Sequence, residues 1–141
     1  MPHVVVRINT ARPPAEVLAY MADFSHAPEW DPSVVSATRL DEGQLRVAST
    51  FDLVVRSAGR SLPLHYEITE LDESHATLVA RTPTLESVDT LSVALGGEGT
   101  VFTYDARLTL IGIWRVFNPF LAVMFRSLAA KAEAGIRRRL A

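Results

Sequence analysis

A chain of 141 residues, 48% hydrophobic and 21% charged, is neither disordered nor fibrous, and residues 1–141 are expected to form one domain with a core that needs no disulfide or structural metal. The absence of cysteine excludes thiol nucleophiles, iron–sulfur clusters and Cys-based zinc sites. A net charge of -2 gives no field that would steer nucleic acid, so no nucleic-acid partner is expected.

The opening Met1-Pro2-His3-Val4 lacks the basic and apolar regions of a secretory signal, and cytoplasmic residence is the default expectation. Val4, Val6 and Ile8 alternate with Val5, Arg7 and Asn9, the period-two pattern of a strand with one buried face. A helix then starts near Pro14, because a proline in the first turn gives up an N–H that has no intrahelical partner. Its apolar positions are Val17, Leu18, Met21 and Phe24. The segment from Ser25 to Pro32 carries two prolines and reads as a broken connection or one short helical turn.

Strand patterns follow. Val34 to Leu40 is the first, and Leu45 to Leu53 alternates after an Asp41-Glu42-Gly43 turn. Leu62, Leu64, Tyr66 and Ile68 share one face of the next strand. Two further strands are expected at Ala76–Thr82 and Leu85–Leu95, then a Gly96-Gly97-Glu98-Gly99 hairpin and a last strand ending near Leu110. On that last strand Phe102, Tyr104, Ala106 and Leu108 face one way. Short turns between successive strands dictate antiparallel pairing, since parallel pairing needs a crossover connection.

From Ile113 to Leu140 a helical stripe of Phe117, Leu121, Met124, Phe125, Leu128 and Ala132 opposes Arg115, Arg126, Glu133 and Arg137. A helix of about 25 residues reaches roughly 38 Å, enough to cross a small sheet. Pro119 is expected to start or kink it. Gly135 lies on its apolar side, which points to a close approach to the sheet or to fraying. The apolar run from Leu108 to Phe125 is broken by Arg115, Asn118 and Pro119. A bilayer span needs about 20 continuous apolar residues, so no membrane span is expected.

The run Ala11-Arg12-Pro13-Pro14-Ala15-Glu16-Val17, through Tyr20-Met21-Ala22-Asp23-Phe24 to Pro28-Glu29-Trp30-Asp31-Pro32-Ser33-Val34, resembles the opening of the polyketide cyclase/dehydrase and lipid-transport family of the START/SRPBCC superfamily. The ending Gly112-Ile113-Trp114-Arg115-Val116-Phe117-Asn118-Pro119 resembles that family too. The resemblance covers essentially the whole chain and implies an α+β helix-grip fold. In it, a curved antiparallel sheet of about seven strands wraps a long C-terminal helix, with two short helices after the first strand. The functions it implies range from lipid and coenzyme Q carriers to hormone receptors and aromatase/cyclases.

A curved sheet cannot be filled along its whole length by a straight helix, and the gap between them is a natural ligand site. The wall expected from strand and helix parity comprises Phe51, Leu53, Leu64, Tyr66, Ile68, Leu91, Val93, Phe102, Tyr104 and Leu108 from the sheet, with Phe117, Leu121, Met124 and Leu128 from the helix. Taken singly, each is better explained as ordinary core, and only the set points to a cavity. Trp30 sits on the irregular connection, where it either lids the cavity or anchors that connection.

Asp89 shares strand parity with Leu85, Leu91, Val93 and Leu95 and so points inward. There it needs a partner or a raised pKa. It is a candidate to orient a ligand hydroxyl or to act as a general base, with Tyr66 and Tyr104 as possible donors beside it. His26, His65 and His75 form no zinc pattern, and no Gly-rich loop precedes a helix. No cofactor or metal is expected.

Three functions remain. The first is non-catalytic binding or transport of an apolar small molecule such as a lipid, polyketide or isoprenoid. The second is an aromatase/cyclase using Asp89 and a tyrosine, with cavity shape positioning the reacting carbons. The third is a protein-interaction module with a filled core and an exposed Arg115, Arg126 and Arg137 face. Monomer and homodimer are both open.

Overall fold

Alternation of buried and exposed side chains along the chain produces seven strands, and the turns between them leave room for antiparallel pairing only. The computed structural model describes residues 3–57, 59–97 and 99–141. Met1, Pro2, Ala58 and Glu98 lie outside the described residues, and Glu98 is the tip of the expected glycine-rich hairpin.

Strand β1 (His3–Thr10) leads into α1 (Pro14–Ala22), a 3-10 turn at Phe24–His26 and α2 (Ala27–Trp30). The meander then runs through β2 (Val34–Arg39), β3 (Thr50–Ser57), β4 (Arg60–Leu71), β5 (His75–Arg81), β6 (Leu85–Gly96) and β7 (Gly99–Leu110). A 3-10 segment at Gly112–Phe117 precedes α3 (Asn118–Leu140). The sheet order is β1-β7-β6-β5-β4-β3-β2, so the first and last strands are neighbours. The sheet curls into a half-barrel with α3 on its concave side, which is the helix-grip architecture.

Two local devices fix α3 against the sheet. At its start the Asn118 side chain mimics a strand: its Oδ1 accepts from the Leu110 backbone N–H at 2.8 Å, and its Nδ2 donates to the Leu110 carbonyl at 3.3 Å. At its end the Thr10 hydroxyl of β1 donates to the Leu140 carbonyl, one of the orphan acceptors every helix C-terminus leaves. Pro119 occupies the first helical turn and starts the regular helix without kinking it. His3, at the start of β1, pairs through Nε2 with Asp105 at 2.7 Å.

The expected strand over Leu45 to Leu53 begins instead at Thr50, and residues 40–49 form a loop. The cause is a carboxylate hub. Asp41 accepts from the Ser49 hydroxyl at 2.8 Å, from Arg39 at 3.1 Å and from the Thr50 N–H at 3.3 Å, while the Arg46 N–H donates to Ser49 Oγ at 3.1 Å. These bonds compete successfully with a strand ladder. They hold the Asp41 carboxyl below the usual carboxylate range, chiefly through Arg39.

The same loop forces Ala48 to φ 80°, a left-handed conformation that a Cβ disfavours. Ala48→Gly is therefore expected to raise stability by about 0.5–1 kcal/mol, measured by urea unfolding. A fall in stability would show that this backbone stores no strain.

Candidate functional site

Between the concave sheet face and α3 lies a cavity of about 140 Å³ that opens to solvent at one side. That is below the usual ligand-pocket range of about 300–1,000 Å³. Its apolar wall includes Val4 and Val6 of β1, Leu53 and Val55 of β3, Leu64 of β4, Ala106 and Leu108 of β7, and Phe125, Leu128, Ala132 and Ile136 of α3. Phe24, Ala27 and Trp30 close it from the α1–β2 connection.

Strand parity explains most of this wall. In β6 the residues Leu85, Ser87, Asp89, Leu91 and Val93 are all buried, alternating with half-buried neighbours. Leu95 breaks the expectation at 82% exposed, because it lies beside the Gly96 turn, beyond the covering helices. In β4 the inward set is Leu64, Tyr66 and Ile68, and in β7 it is Phe102, Tyr104, Ala106 and Leu108.

Of the side chains expected to form the wall, Trp30, Leu53, Leu64, Tyr66, Asp89, Tyr104, Leu108 and Leu128 line the cavity. Phe51, Ile68, Leu91, Val93 and Phe102 are buried in the core behind it. Met124 is half-buried on α3 away from the lining. Phe117 is 51% exposed, because the 3-10 segment turns every three residues and so shifts the helical stripe out of phase before α3 begins. It joins Ile113, Trp114, Val116, Phe120 and Val123 on an exposed apolar face. The Leu121 side chain lies outside the described residues.

The sheet contributes the polar lining groups Tyr66, Ser87, Asp89 and Tyr104. The Tyr66 hydroxyl and Ser87 Oγ are 2.8 Å apart. Asp89 is buried, and that burial pushes its carboxyl up to about 7; the Tyr104 hydroxyl opposes this by favouring the anion, while Asp31 and Asp105 add to the rise. Burial next to Asp89 likewise drives both Tyr66 and Tyr104 well above the ordinary phenol value.

Asp31 was missed by sequence reading, since it lies on an aperiodic turn. Burial raises its pKa, against the hydroxyl and N–H of Ser33 that bond its Oδ1 at 2.7 and 2.9 Å. The Asp-x-Ser spacing was the only available signal, and it marks a turn and says nothing of burial.

Trp30 packs edge-on to Tyr104, with ring centroids 5.6 Å apart, and also contacts Phe24 at 6.2 Å. It is 2% exposed, and among the described residues its Nε1–H finds no acceptor. The histidines stay outside this site: His65 pairs with Asp52, His75 with Asp72 and Glu70, and His26 stacks on Tyr20. No metal-holding group of His, Asp and Glu side chains occurs among the described residues. No helix among them is long and apolar enough to cross a membrane.

This arrangement is similar throughout to solved structures. A START superfamily protein from Mycobacterium smegmatis superposes with a TM-score of 0.77 at 14% identity, covering 98% of this chain and 96% of its own. TTHA0849 from Thermus thermophilus gives 0.79 at 16% identity, covering 99% and 97%. The di-domain aromatase/cyclase StfQ of the steffimycin biosynthetic pathway gives 0.65 at 13% identity, covering 98% of this chain but 51% of that one. At these identities the likeness is one of fold. No curated protein matches the chain. The sequence profile described as polyketide cyclase / dehydrase and lipid transport matches residues 1–141, and the chain belongs to that family.

Proposed function

We propose that this protein binds an apolar small molecule, of lipid, polyketide or isoprenoid type, in the cavity between the sheet and α3, and carries or senses it without transforming it. The observation that supports this reading is the lining itself: an open-sided void walled mostly by aliphatic and aromatic side chains, with few polar groups among them. Apolar surface facing such a void gains by covering itself with a guest. Trp30, Leu53, Leu64, Tyr66, Asp89, Tyr104 and Leu128 are the contacts proposed among the residues foreseen from sequence.

The test is native mass spectrometry of the purified protein for a co-purifying apolar molecule, followed by melting with added fatty alcohols, quinones and aromatic polyketides. A ligand at 100 times its Kd stabilises by about 2.7 kcal/mol. A rise of several degrees with at least one class is expected. No bound mass and no rise with any class would overturn the reading.

One observation favours a second reading, an aromatase/cyclase. A buried carboxyl that titrates at about 7 next to a phenol suits proton transfer near neutrality. On that reading Asp89→Asn and Tyr104→Phe each lower the cyclisation rate of a model polyketide by about 100-fold or more. Unchanged rates would remove both residues from the chemistry.

A further inference from the structure

The 3-10 segment and the first half of α3 differ from the rest of the fold in one respect: no described residue from 112 to 134 is buried. Yet this stretch carries Ile113, Trp114, Val116, Phe117, Phe120 and Val123, which are 47–83% exposed. A monomer rarely shows so much apolar side chain in one place unless something covers it. The Trp114 and Phe117 rings lie 6.0 Å apart, and the paired bonds between Asn118 and Leu110 hold the segment to the end of β7.

Charge says what covers this face. Helical spacing places Phe120, Val123, Arg126 and Lys131 on the outer side of α3, turned away from Phe125, Leu128 and Ala132, which line the cavity. Arg115, Arg126 and Lys131 are all exposed, and no Asp or Glu occurs between Asp105 and Glu133. Both flanking acids are engaged, Asp105 with His3 at 2.7 Å and Glu133 with Arg137 at 3.0 Å.

Large apolar side chains flanked by cations, with no acid among them, match an anionic lipid surface: the acyl boundary takes the rings and aliphatic groups, and the headgroup phosphates take the arginines. A second copy of the chain fits worse. A two-fold contact lays the same patch on itself and brings the arginines of both copies together with no acid between them.

We propose that this face docks peripherally on an anionic lipid surface, with Ile113, Trp114, Phe117, Phe120 and Val123 at the headgroup boundary and Arg115, Arg126 and Lys131 on the phosphates. The contact lies along the surface and needs no spanning helix. It does not depend on the cavity holding a guest. Where a guest is carried, the helix that touches the lipid is also the helix that walls the cavity.

The experiment is flotation of the purified protein with vesicles of phosphatidylcholine and phosphatidylglycerol at about three to one, against vesicles of phosphatidylcholine alone. Binding to the anionic vesicles is expected to be about ten-fold tighter or more, and to weaken as salt rises. Arg115→Gln and Arg126→Gln each weaken it about five-fold. Phe120→Ser combined with Val123→Ser weakens it about ten-fold or more, with an unchanged melting temperature because both sites are exposed. In the unmodified protein Trp114 emission moves to the blue on anionic vesicles, and Trp114→Phe loses that shift, since Trp30 is already buried. This readout stands even if the serine variant fails to fold.

Failure to float with the anionic vesicles overturns the proposal, as does equal binding to both vesicle types. A stable dimer in sedimentation equilibrium without lipid, dissociated by Phe120→Ser, also overturns it by giving the face to a second copy. None of these results touches the apolar-guest reading, which melting with added ligands tests separately.

Discussion

Replacing Gly135 by alanine is expected to destabilise the protein by about 3 kcal/mol and to lower its melting temperature by about 10 °C. On an exposed helix the same change adds about 1 kcal/mol of helix propensity, so the sign is diagnostic. Here α3 crosses α2 so closely that a Cβ on Gly135 would fall on the Trp30 carbonyl oxygen and come within 2.6 Å of its carbonyl carbon and 2.9 Å of its Cα. These are backbone atoms, and no rotamer change relieves the clash. Either α3 lifts or α2 retreats.

Because Trp30, Ala132, Glu133 and Ile136 all line the cavity, the movement also reshapes the site. Calorimetry of Gly135→Ala checks the stability. A variant that melts at or above the parent would mean that the helices are not in contact there.

The second large effect concerns pH. Asp89 titrates at about 7 in the folded protein against a reference of 3.8. Between those values the native chain holds a proton that the unfolded chain has shed. Stability is therefore fully present below the unfolded value and falls as pH rises, by up to about 1.4 kcal/mol per unit, until the native carboxyl has ionised above about pH 7. The total is on the order of 4 kcal/mol.

Asp89→Asn removes this titration and keeps an oxygen for the Tyr104 hydroxyl. The variant should match the parent near pH 4 and exceed it by a few kcal/mol at pH 8, as read from urea unfolding at a series of pH values. Asp31, raised in the same direction by its own burial, keeps a shallower slope in the variant. Parallel curves for variant and parent would mean that the Asp89 carboxylate is well solvated in the native state.

Much of this arrangement was legible in the sequence because it rests on periodicity. The inward placement of Ser87 and Asp89 follows from their parity with Leu85 and Leu91, and that of Tyr66 and Tyr104 from Leu64 and Ala106. Gly135 on the apolar side of α3 announced a close approach, although the partner is α2 rather than the sheet.

Illegible features arise where side chains override the pattern or where tertiary contact decides burial. Leu45 and Val47 alternate as a strand would, yet Val47 is 53% exposed, because the Asp41 and Ser49 bonds capture the backbone. Phe117 fits a helical stripe but lies on a 3-10 segment. Asp31 and Ser33 reach the cavity only because the α1–β2 connection is pressed inward, a contact with no signature at 2.0 or 3.6 residues.

The exposed apolar face of Ile113, Trp114, Val116, Phe117, Phe120 and Val123 likewise belongs to a segment whose residue types read as core. The arginines expected to form a solvated face are consistent with that reading near the C-terminus. Arg137 pairs with Glu133 on its own helix at 3.0 Å, an exposed pair of small energetic weight.

The most direct measurement is a crystal structure of the purified protein under xenon pressure. Xenon enters dry apolar cavities without needing any particular chemistry. A xenon peak between Leu53 and Leu64 of the sheet and Leu128 of α3 is the expected result, unless an apolar molecule already occupies that position. A crystal with neither xenon nor guest density there, and with those side chains in mutual contact, would contradict the account.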